Sequence, residues 1–183
     1  MGSLEELVRA VRASRAPTGV VTRLIAIDGP GGAGKTTLAA RLAEELRAAV
    51  IHTDEFASWD NPLGWWPVML EQALKPLAAG ESAQYQPTSW GGDERAPVVL
   101  EPGGTVLVEG VTASRSAFRP YLAYSIWIET PRAVRLQRGI DRDGEDARGQ
   151  WERWMAEEDR YVDSERPYGH VDVVLSGDRD LWR

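Results

Sequence analysis

The chain has 183 residues, of which 43% are hydrophobic, and this length suits one compact domain, 1–183, with a core of ordinary size. With 21 Lys and Arg against 28 Asp and Glu, its formal charge is −7, so an extended nucleic-acid surface is not expected. The lack of cysteine excludes disulfides, thiolate metal sites and a cysteine nucleophile. Since no apolar run is long enough for a membrane span and the N-terminus is acidic, we expect a cytoplasmic domain without nucleic-acid or membrane partners.

The first predicted elements are a helix and a strand. Residues 3 to 14 have a capping box formed by Ser3 and Glu6, followed by apolar residues at helical spacing. Pro17 and Gly19 end this pattern. The β-branched, apolar run from 20 to 27 then predicts a strand, and the composition of residues 36 to 49 is that of a strong helix.

The loop between that strand and that helix carries a phosphate-binding motif. Gly29-Pro30-Gly31-Gly32-Ala33-Gly34-Lys35-Thr36 matches the Walker A pattern at every fixed position. In such a loop the backbone N–H groups converge on phosphate oxygens, Lys35 reaches the β- and γ-phosphates, and the Thr36 hydroxyl ligates Mg²⁺. A glycine-rich turn without nucleotide is the less favoured alternative. The predicted ATP-binding residues are Gly29, Gly31, Gly32, Ala33, Gly34, Lys35, Thr36 and Thr37.

An acidic residue follows the second predicted strand, residues 50 to 53. This residue, Asp54, would lie at the carboxyl edge of a parallel sheet, where ligands bind. A kinase needs a group that orients the attacking hydroxyl and accepts its proton, and Asp54 is the candidate. The alternative is an aspartate that caps the next turn.

The segment from about 56 to 97 is interpreted as a substrate-binding insert. A helix is predicted over 63 to 79, broken or kinked at Pro67 and Pro76, and the stretch from 80 to 104 is rich in Gly, Pro and polar residues. In this segment, aromatic rings would give flat apolar surfaces to an acceptor, the molecule that receives a phosphate, and Arg95 would give it a charge-assisted hydrogen bond. The rival explanation is that the aromatic residues pack in the core. The candidate acceptor residues are Asp54, Phe56, Tyr85, Trp90, Arg95 and Arg135, with Trp59, Trp65 and Trp66 nearby.

The remaining predicted elements alternate strand and helix. A third strand, 105 to 108, ends at Glu109, a candidate Mg²⁺ ligand acting partly through water, or else a solvated strand-end carboxylate. A fourth strand (124 to 128), two helices (131 to 140 and 147 to 162) and a final strand (171 to 175) follow. This alternation predicts an α/β fold in which helices cover both faces of a parallel sheet.

Arginines recur on the first of those two helices. Arg132, Arg135, Arg138 and Arg142 lie at spacings of three, three and four, which places them along one side of the helix. Facing a P-loop, such a row would stabilise a transferring phosphoryl group, and Arg138 and Arg142 are candidate catalytic residues. The alternative is a solvated face paired with Glu129, Asp141 and Asp143.

With these residues assembled, the chain resembles the uridine kinase-like branch of the P-loop small-molecule kinases. The resemblance runs from about Leu24 to Asp178 and rests on the Walker A loop and four further stretches. It implies a five-stranded parallel sheet in the order 2-3-1-4-5, Asp54 as the base beside the metal site, and a mobile lid, about 139 to 149, whose arginines are at 135, 138 and 142. The four stretches are Thr53-Asp54-Glu55-Phe56, Val106-Leu107-Val108-Glu109-Gly110, Arg135 to Asp143 and His170-Val171-Asp172-Val173-Val174.

Several functions remain open at this stage. The resemblance implies transfer of the γ-phosphate of ATP, with Mg²⁺, to a hydroxyl of a small molecule such as uridine or cytidine. The opening Ile25 to Pro30 also looks like that of bacterial cytidylate kinases, which makes a nucleoside monophosphate kinase the second reading. The insert, with Tyr85-Gln86 and Ser89-Trp90, also permits a natural-product phosphotransferase, and an NTPase or nucleotide-binding module is a further alternative.

Overall fold

The computed structural model describes residues 3–58, 60–88 and 95–177, so Trp59 and Trp90 lie outside the described residues. The described helices are α1 (Leu4–Ala13), α2 (Lys35–Leu46), α3 (Trp66–Met69), α4 (Lys75–Ala79), α5 (Arg132–Asp143) and α6 (Arg148–Glu165). The described strands are β1 (Arg23–Asp28), β2 (Ala49–His52), β3 (Ala83–Tyr85), β4 (Val98–Leu100), β5 (Thr105–Glu109), β6 (Leu122–Glu129) and β7 (Val173–Ser176).

The large sheet has five parallel strands in the order β2-β5-β1-β6-β7. Counting only the strands of this sheet along the chain, the order is 2-3-1-4-5, and the predicted fold class is therefore confirmed. Parallel register aligns the carboxyl ends of neighbouring strands: Glu109 on β5 lies opposite both Ile27 on β1 and His52 on β2. Polar residues that end or follow these three strands therefore meet at one edge.

Helices cover both faces of the sheet because its strands alternate between two apolar cores. Leu24 and Ala26 of β1 face a core that includes residues of α3 and α4. Ile25 and Ile27 face the opposite core, which includes residues of α1 and α2. Each face is thus sealed from water, as a parallel sheet requires. At the start of the chain, Ser3 accepts a hydrogen bond from the Glu6 amide, so the predicted N-terminal cap is confirmed.

The predicted helix over 63 to 79 begins three residues later, and in place of a predicted break or kink at Pro76 it has a π-helical turn. A π-helical turn (Leu70–Leu74) joins α3 to α4, and both prolines lie in first turns. In an α-helix the Pro76 ring would clash with the carbonyl of Gln72, and the wider π turn directly before Pro76 relieves that clash.

The stretch from 80 to 104 contains an antiparallel strand pair that the sequence did not predict. Here β3 pairs with β4 in a register that sets Ala83 opposite Leu100 and Tyr85 opposite Val98. Three residues in each strand are too few for alternation to show in the sequence. Within the described ranges, no helix is long and apolar enough to cross a membrane.

Candidate active site

The Walker A loop connects β1 to α2 through backbone conformations that favour glycine. Gly29, Gly32 and Gly34 all have positive φ angles (144°, 74° and 102°), and Gly34 is the N-cap of α2. A Cβ on Gly32 would lie 2.7 Å from the carbonyl oxygen of Arg135, so this position also lacks room for a side chain. The loop therefore brings backbone N–H groups and a helix N-terminus to one point, the arrangement that binds phosphate.

Lys35 is the first residue of α2, and its side chain bends back over the loop. The side chain is buried, and its Nζ donates to the Pro30 carbonyl oxygen at 2.9 Å. Its ammonium charge is thus already held beside the loop. This is the placement expected of the Walker A lysine.

A hydroxyl and a carboxylate meet where Mg²⁺ is predicted to bind. The Thr36 hydroxyl donates to Glu109 Oε1 at 3.2 Å, and Glu109 is buried at the end of β5. Mg²⁺ prefers oxygen ligands and completes its shell with water and substrate phosphates, so these two ligands fit the ion. In the ranges that the structure describes, no group of three or more His, Cys, Asp or Glu forms a self-contained metal site.

The sequence did not predict a role for His52 at this place. Its Nδ1 lies 2.7 Å from Glu109 Oε2, because register sets the two residues opposite each other. This hydrogen bond is the main cause of the raised pKa of His52. The histidine therefore orients the carboxylate that is predicted to bind Mg²⁺.

Asp54 lies in a short 3₁₀ turn (Thr53–Glu55) directly after β2, as predicted. Its side chain lines the same cavity as Lys35 and Thr36. Surrounding protein atoms partly desolvate the carboxylate, and this raises its pKa. The Coulombic effect of His52 opposes that rise, whereas Glu109 and Glu55 add to it.

One cavity of about 810 Å³ joins the P-loop to the insert and to α6. It is large enough for a small molecule beside the phosphates. Predicted site residues that line it are Gly31, Gly32, Lys35, Thr36, Asp54, Arg95, Glu109 and Arg142. Further lining residues are His52, Glu55, Trp65, Asp143, Trp151 and Trp154.

Phe56 and Tyr85 are buried and do not line this cavity, which corrects their predicted contact with an acceptor. Their rings pack with centroids 4.6 Å apart, and the Tyr85 hydroxyl donates to Glu55 Oε2 at 2.7 Å. Arg95 donates to the other oxygen of Glu55 at 2.8 Å. Glu55, which the sequence did not single out, thus links the turn that carries Asp54 to the insert. Trp90 lies outside the described residues.

The arginines of α5 do not act as one row. Arg142 lines the cavity, forms a two-point ion pair with Asp143 at 2.8 Å and lies over the Trp151 ring. Arg138 instead donates to the carbonyl oxygens of Gly32 and Gly177, at 3.1 and 2.9 Å. It therefore stabilises the Walker A loop through a backbone carbonyl oxygen of that loop.

Arg135 is buried and does not line the cavity, which corrects its predicted place at the acceptor. Its Nε donates to the carbonyl oxygen of Thr130 at 3.0 Å, and its Nη1 donates to Glu158 at 3.3 Å. Arg132, on the exposed surface, pairs with Asp159 at 2.6 Å. The solvated-face alternative therefore fits Arg132, and it also fits Arg142, whose side chain is 71% exposed and pairs with Asp143 as that alternative expects.

No protein-family model matches the chain. A solved structure described as a possible uridine kinase from Bacillus stearothermophilus has a TM-score of 0.69 and 21% identity, covering 94% of this chain and 96% of that one. A second, described as a "putative fructose transport system kinase" from Silicibacter sp. TM1040, has a TM-score of 0.68 and 18% identity, covering 94% and 98%. The chain has the P-loop kinase fold.

A curated relative is similar in sequence. The cytidylate kinase of Aeromonas salmonicida (strain A449) is 34% identical over an alignment of 134 residues that covers 67% of this chain. The matched part is 55% of that kinase, so the chain spans just over half the length of the curated relative. The resemblance to P-loop kinases that the motifs predicted is thus confirmed for the fold.

Two buried carboxylates next to the P-loop were not predicted. Asp28, at the end of β1, accepts hydrogen bonds from the amides of Gly29, Thr112 and Ser114 and from the hydroxyls of Ser114 and Tyr161. It ties the Walker A loop to the segment after β5 and to α6. The second carboxylate, Glu158 of α6, contacts the loop itself. Asp28 lies within the Ile25 to Pro30 opening but had no predicted role, and Glu158 lies outside every motif that the sequence singled out.

Proposed function

We propose that this chain is an ATP-dependent phosphotransferase that moves the γ-phosphate of ATP to a hydroxyl of a small molecule. One observation carries the proposal: the Walker A residues Lys35 and Thr36 share a single cavity with Asp54. A phosphate-binding loop and a carboxylate base within one cavity are the two parts that phosphoryl transfer to a hydroxyl needs.

The residues divide the reaction between them. The loop amides and Lys35 bind the β- and γ-phosphates, and Thr36 and Glu109 would hold Mg²⁺, which neutralises phosphate charge when bound. The acceptor oxygen forms a bond to the γ-phosphorus while the bond from that phosphorus to the bridging oxygen breaks and ADP leaves. The acceptor proton passes to Asp54.

The environment of Asp54 suits this role. Partial desolvation and the nearby carboxylates raise its pKa, so the group is a better proton acceptor than a fully solvated aspartate. A base works best when its pKa lies close to the working pH. Asp54 also stays accessible from the cavity, where an acceptor hydroxyl can reach it.

The charges on the acceptor side favour an acceptor without a phosphate. Arg95 is paired with Glu55, and Arg142 is paired with Asp143. A phosphate monoester would have to displace Glu55 from Arg95 or Asp143 from Arg142, because both guanidiniums already have a carboxylate partner. An uncharged hydroxyl compound, such as the nucleosides uridine and cytidine, meets no such competition, and Trp65 provides an aromatic surface on the cavity wall.

A nucleoside monophosphate kinase is the second candidate, and the similarity to a cytidylate kinase favours it. It would require Arg95 or Arg142 to exchange its carboxylate for the acceptor phosphate. A natural-product acceptor is compatible with the same cavity. Mg²⁺ as the metal and a cytoplasmic location stay predictions.

The test is a phosphotransfer screen of the purified chain with ATP and Mg²⁺ across nucleosides, nucleoside monophosphates, vitamins and sugars. We expect ADP release that depends on an uncharged hydroxyl acceptor and that Asp54→Asn removes. Asp163→Asn, at an exposed position of α6 that does not line the cavity, is the matched control and should be active. ADP release that is independent of acceptor would favour an NTPase, and transfer restricted to nucleoside monophosphates would favour the second candidate.

A further inference from the structure

A buried carboxylate lies on the Walker A loop. Glu158 of α6 is 1% exposed, and its Oε1 accepts a hydrogen bond from the Gly31 amide at 2.7 Å. The same oxygen accepts from Trp154 Nε1 at 2.7 Å, and Oε2 accepts from Arg135 at 3.3 Å. A Cβ on Gly31 would lie 2.9 Å from this carboxylate. The contact is therefore close and depends on a glycine of the motif.

The contact between the Glu158 carboxylate and the loop amide resembles the contact that a phosphate oxygen makes with a P-loop. Backbone N–H groups of a P-loop bind anionic oxygens, and a carboxylate oxygen is one. The charge of Lys35 also favours the ionised form of Glu158, although burial has the larger effect and raises its pKa. The Glu158 carboxylate thus accepts a hydrogen bond from a loop amide that is suited to bind a phosphate oxygen.

We propose that Glu158 is a built-in competitor of the triphosphate: its carboxylate, which accepts from the Gly31 amide, competes with the phosphates of ATP for that amide and withdraws when they bind. Two anions close to one loop repel each other strongly in a partly buried site. Glu158 therefore sets the affinity for the nucleotide. The inference rests on the proposed function only in taking ATP as the nucleotide.

Withdrawal of Glu158 would also affect the part of the cavity in which an acceptor is proposed to bind. Trp154 bonds to Glu158, and both Trp154 and Trp151 of α6 line the cavity. A Cβ on Gly31 would lie 3.1 Å from the Trp151 ring, so this side chain also packs on the loop. Withdrawal of the Glu158 carboxylate would therefore break its hydrogen bond to Trp154 and change the contacts of a side chain that lines the cavity.

The experiment compares the wild type with Glu158→Gln, which keeps the shape and the acceptor oxygen but removes the charge. Isothermal titration with ATP and Mg²⁺, and separately with pyrophosphate, should show tighter binding by the variant, by at least about fivefold. Glu157→Gln is the matched control, because Glu157 is the preceding residue of α6 and pairs only with the exposed Arg160 among the contacts described. It should bind both ligands like the wild type.

Equal or weaker binding by a folded Glu158→Gln protein would overturn the inference and make Glu158 a brace of the loop. Should that variant fail to fold, Glu158→Asp, which draws the charge back by one methylene, should bind ATP more tightly than the wild type, and unchanged affinity would count against the proposal. If ATP binds to none of the proteins but pyrophosphate binds Glu158→Gln more tightly, the proposed function fails and this inference stands. No binding of either ligand would overturn both.

Discussion

The phosphate side and the acceptor side of the cavity are built in different ways. The phosphate side is one continuous stretch, from Gly29 to Thr36, in which backbone amides and a helix end form the site. The acceptor side is assembled from side chains of the turn after β2, the insert, the end of α5 and α6. A site made by the backbone can be recognised from a short motif, whereas a site made by distant side chains cannot.

The two sides also differ in how their charges are balanced. On the phosphate side, Lys35 donates directly to a neutral carbonyl oxygen, and the buried Glu158 carboxylate on the same loop is near enough to be influenced by its charge. On the acceptor side, Arg95 and Arg142 each donate to a carboxylate. We therefore expect changes on the phosphate side to act on the rate for every acceptor, and changes on the acceptor side to act selectively.

The largest effect is expected for Lys35→Ala. Loss of a positioned cation at the transferring phosphate should slow turnover by about three orders of magnitude or more, because such electrostatic contacts carry most of the catalysis. Turnover and thermal melting should be measured together, with exposed Lys75→Ala as the control. Near-normal turnover by a folded Lys35→Ala protein would contradict the P-loop mechanism.

Asp54→Asn should follow, with a loss of about two to four orders of magnitude in transfer, the usual contribution of a positioned base. ATP affinity should stay close to that of the wild type, since Asp54 lies on the acceptor side of the cavity. Single-turnover kinetics and ATP titration separate the two quantities. A parallel fall in affinity and rate would show that Asp54 serves the metal and phosphates instead.

Two arginines of α5 provide a sharper comparison. Arg142→Ala should slow transfer by about tenfold to a hundredfold while ATP still binds, because Arg142 is the arginine of α5 that lines the cavity.

Arg138→Ala should instead weaken ATP binding and lower the melting temperature, since it removes two hydrogen bonds that brace the loop. The transfer rate, the ATP affinity and the melting temperature should be measured for both variants. If they behaved alike, the division of labour along α5 would be wrong.

The smallest effect is expected for Tyr85→Phe. The change removes a hydroxyl that donates to the buried Glu55 carboxylate, at a cost of about 1–2 kcal/mol in the free energy of unfolding. The acceptor KM should rise by a few fold, and ATP affinity should not change. Denaturant unfolding and steady-state kinetics test this. A change in ATP affinity would mean that the two sides of the cavity are coupled through the insert.

Much of the fold could be predicted from the sequence because its signals are local. The Walker A loop, the alternating strands and the Ser3 cap depend on neighbouring residues. Glu55 and Glu158 could not be predicted, because their partners are distant in the chain: Arg95 is 40 residues from Glu55, and Gly31 is 127 residues from Glu158. In the sequence, a glutamate that becomes buried cannot be distinguished from one that stays exposed.

The contacts of the α5 arginines could not be predicted from the sequence either. Spacing correctly placed four guanidiniums on α5, but not what each would contact. Arg135 donates to a carbonyl oxygen directly after β6 and to Glu158 of α6, and Arg138 donates to carbonyl oxygens of the P-loop and of the chain after β7. Helix geometry fixes the direction of a side chain, whereas tertiary packing decides its partner.

The Asp28 carboxylate has a consequence for the order in which the protein matures during synthesis. Its donors lie next to it in the chain, 84 to 86 residues later, and 133 residues later at Tyr161. A nascent chain that ends before α6 already contains the whole Walker A motif, but it leaves this buried carboxylate incompletely paired. Because a buried carboxylate that lacks one of its donors is destabilised, the Walker A loop reaches its full set of contacts only after α6 has been made and has docked. The motif is therefore complete in the growing chain well before the contacts that support it.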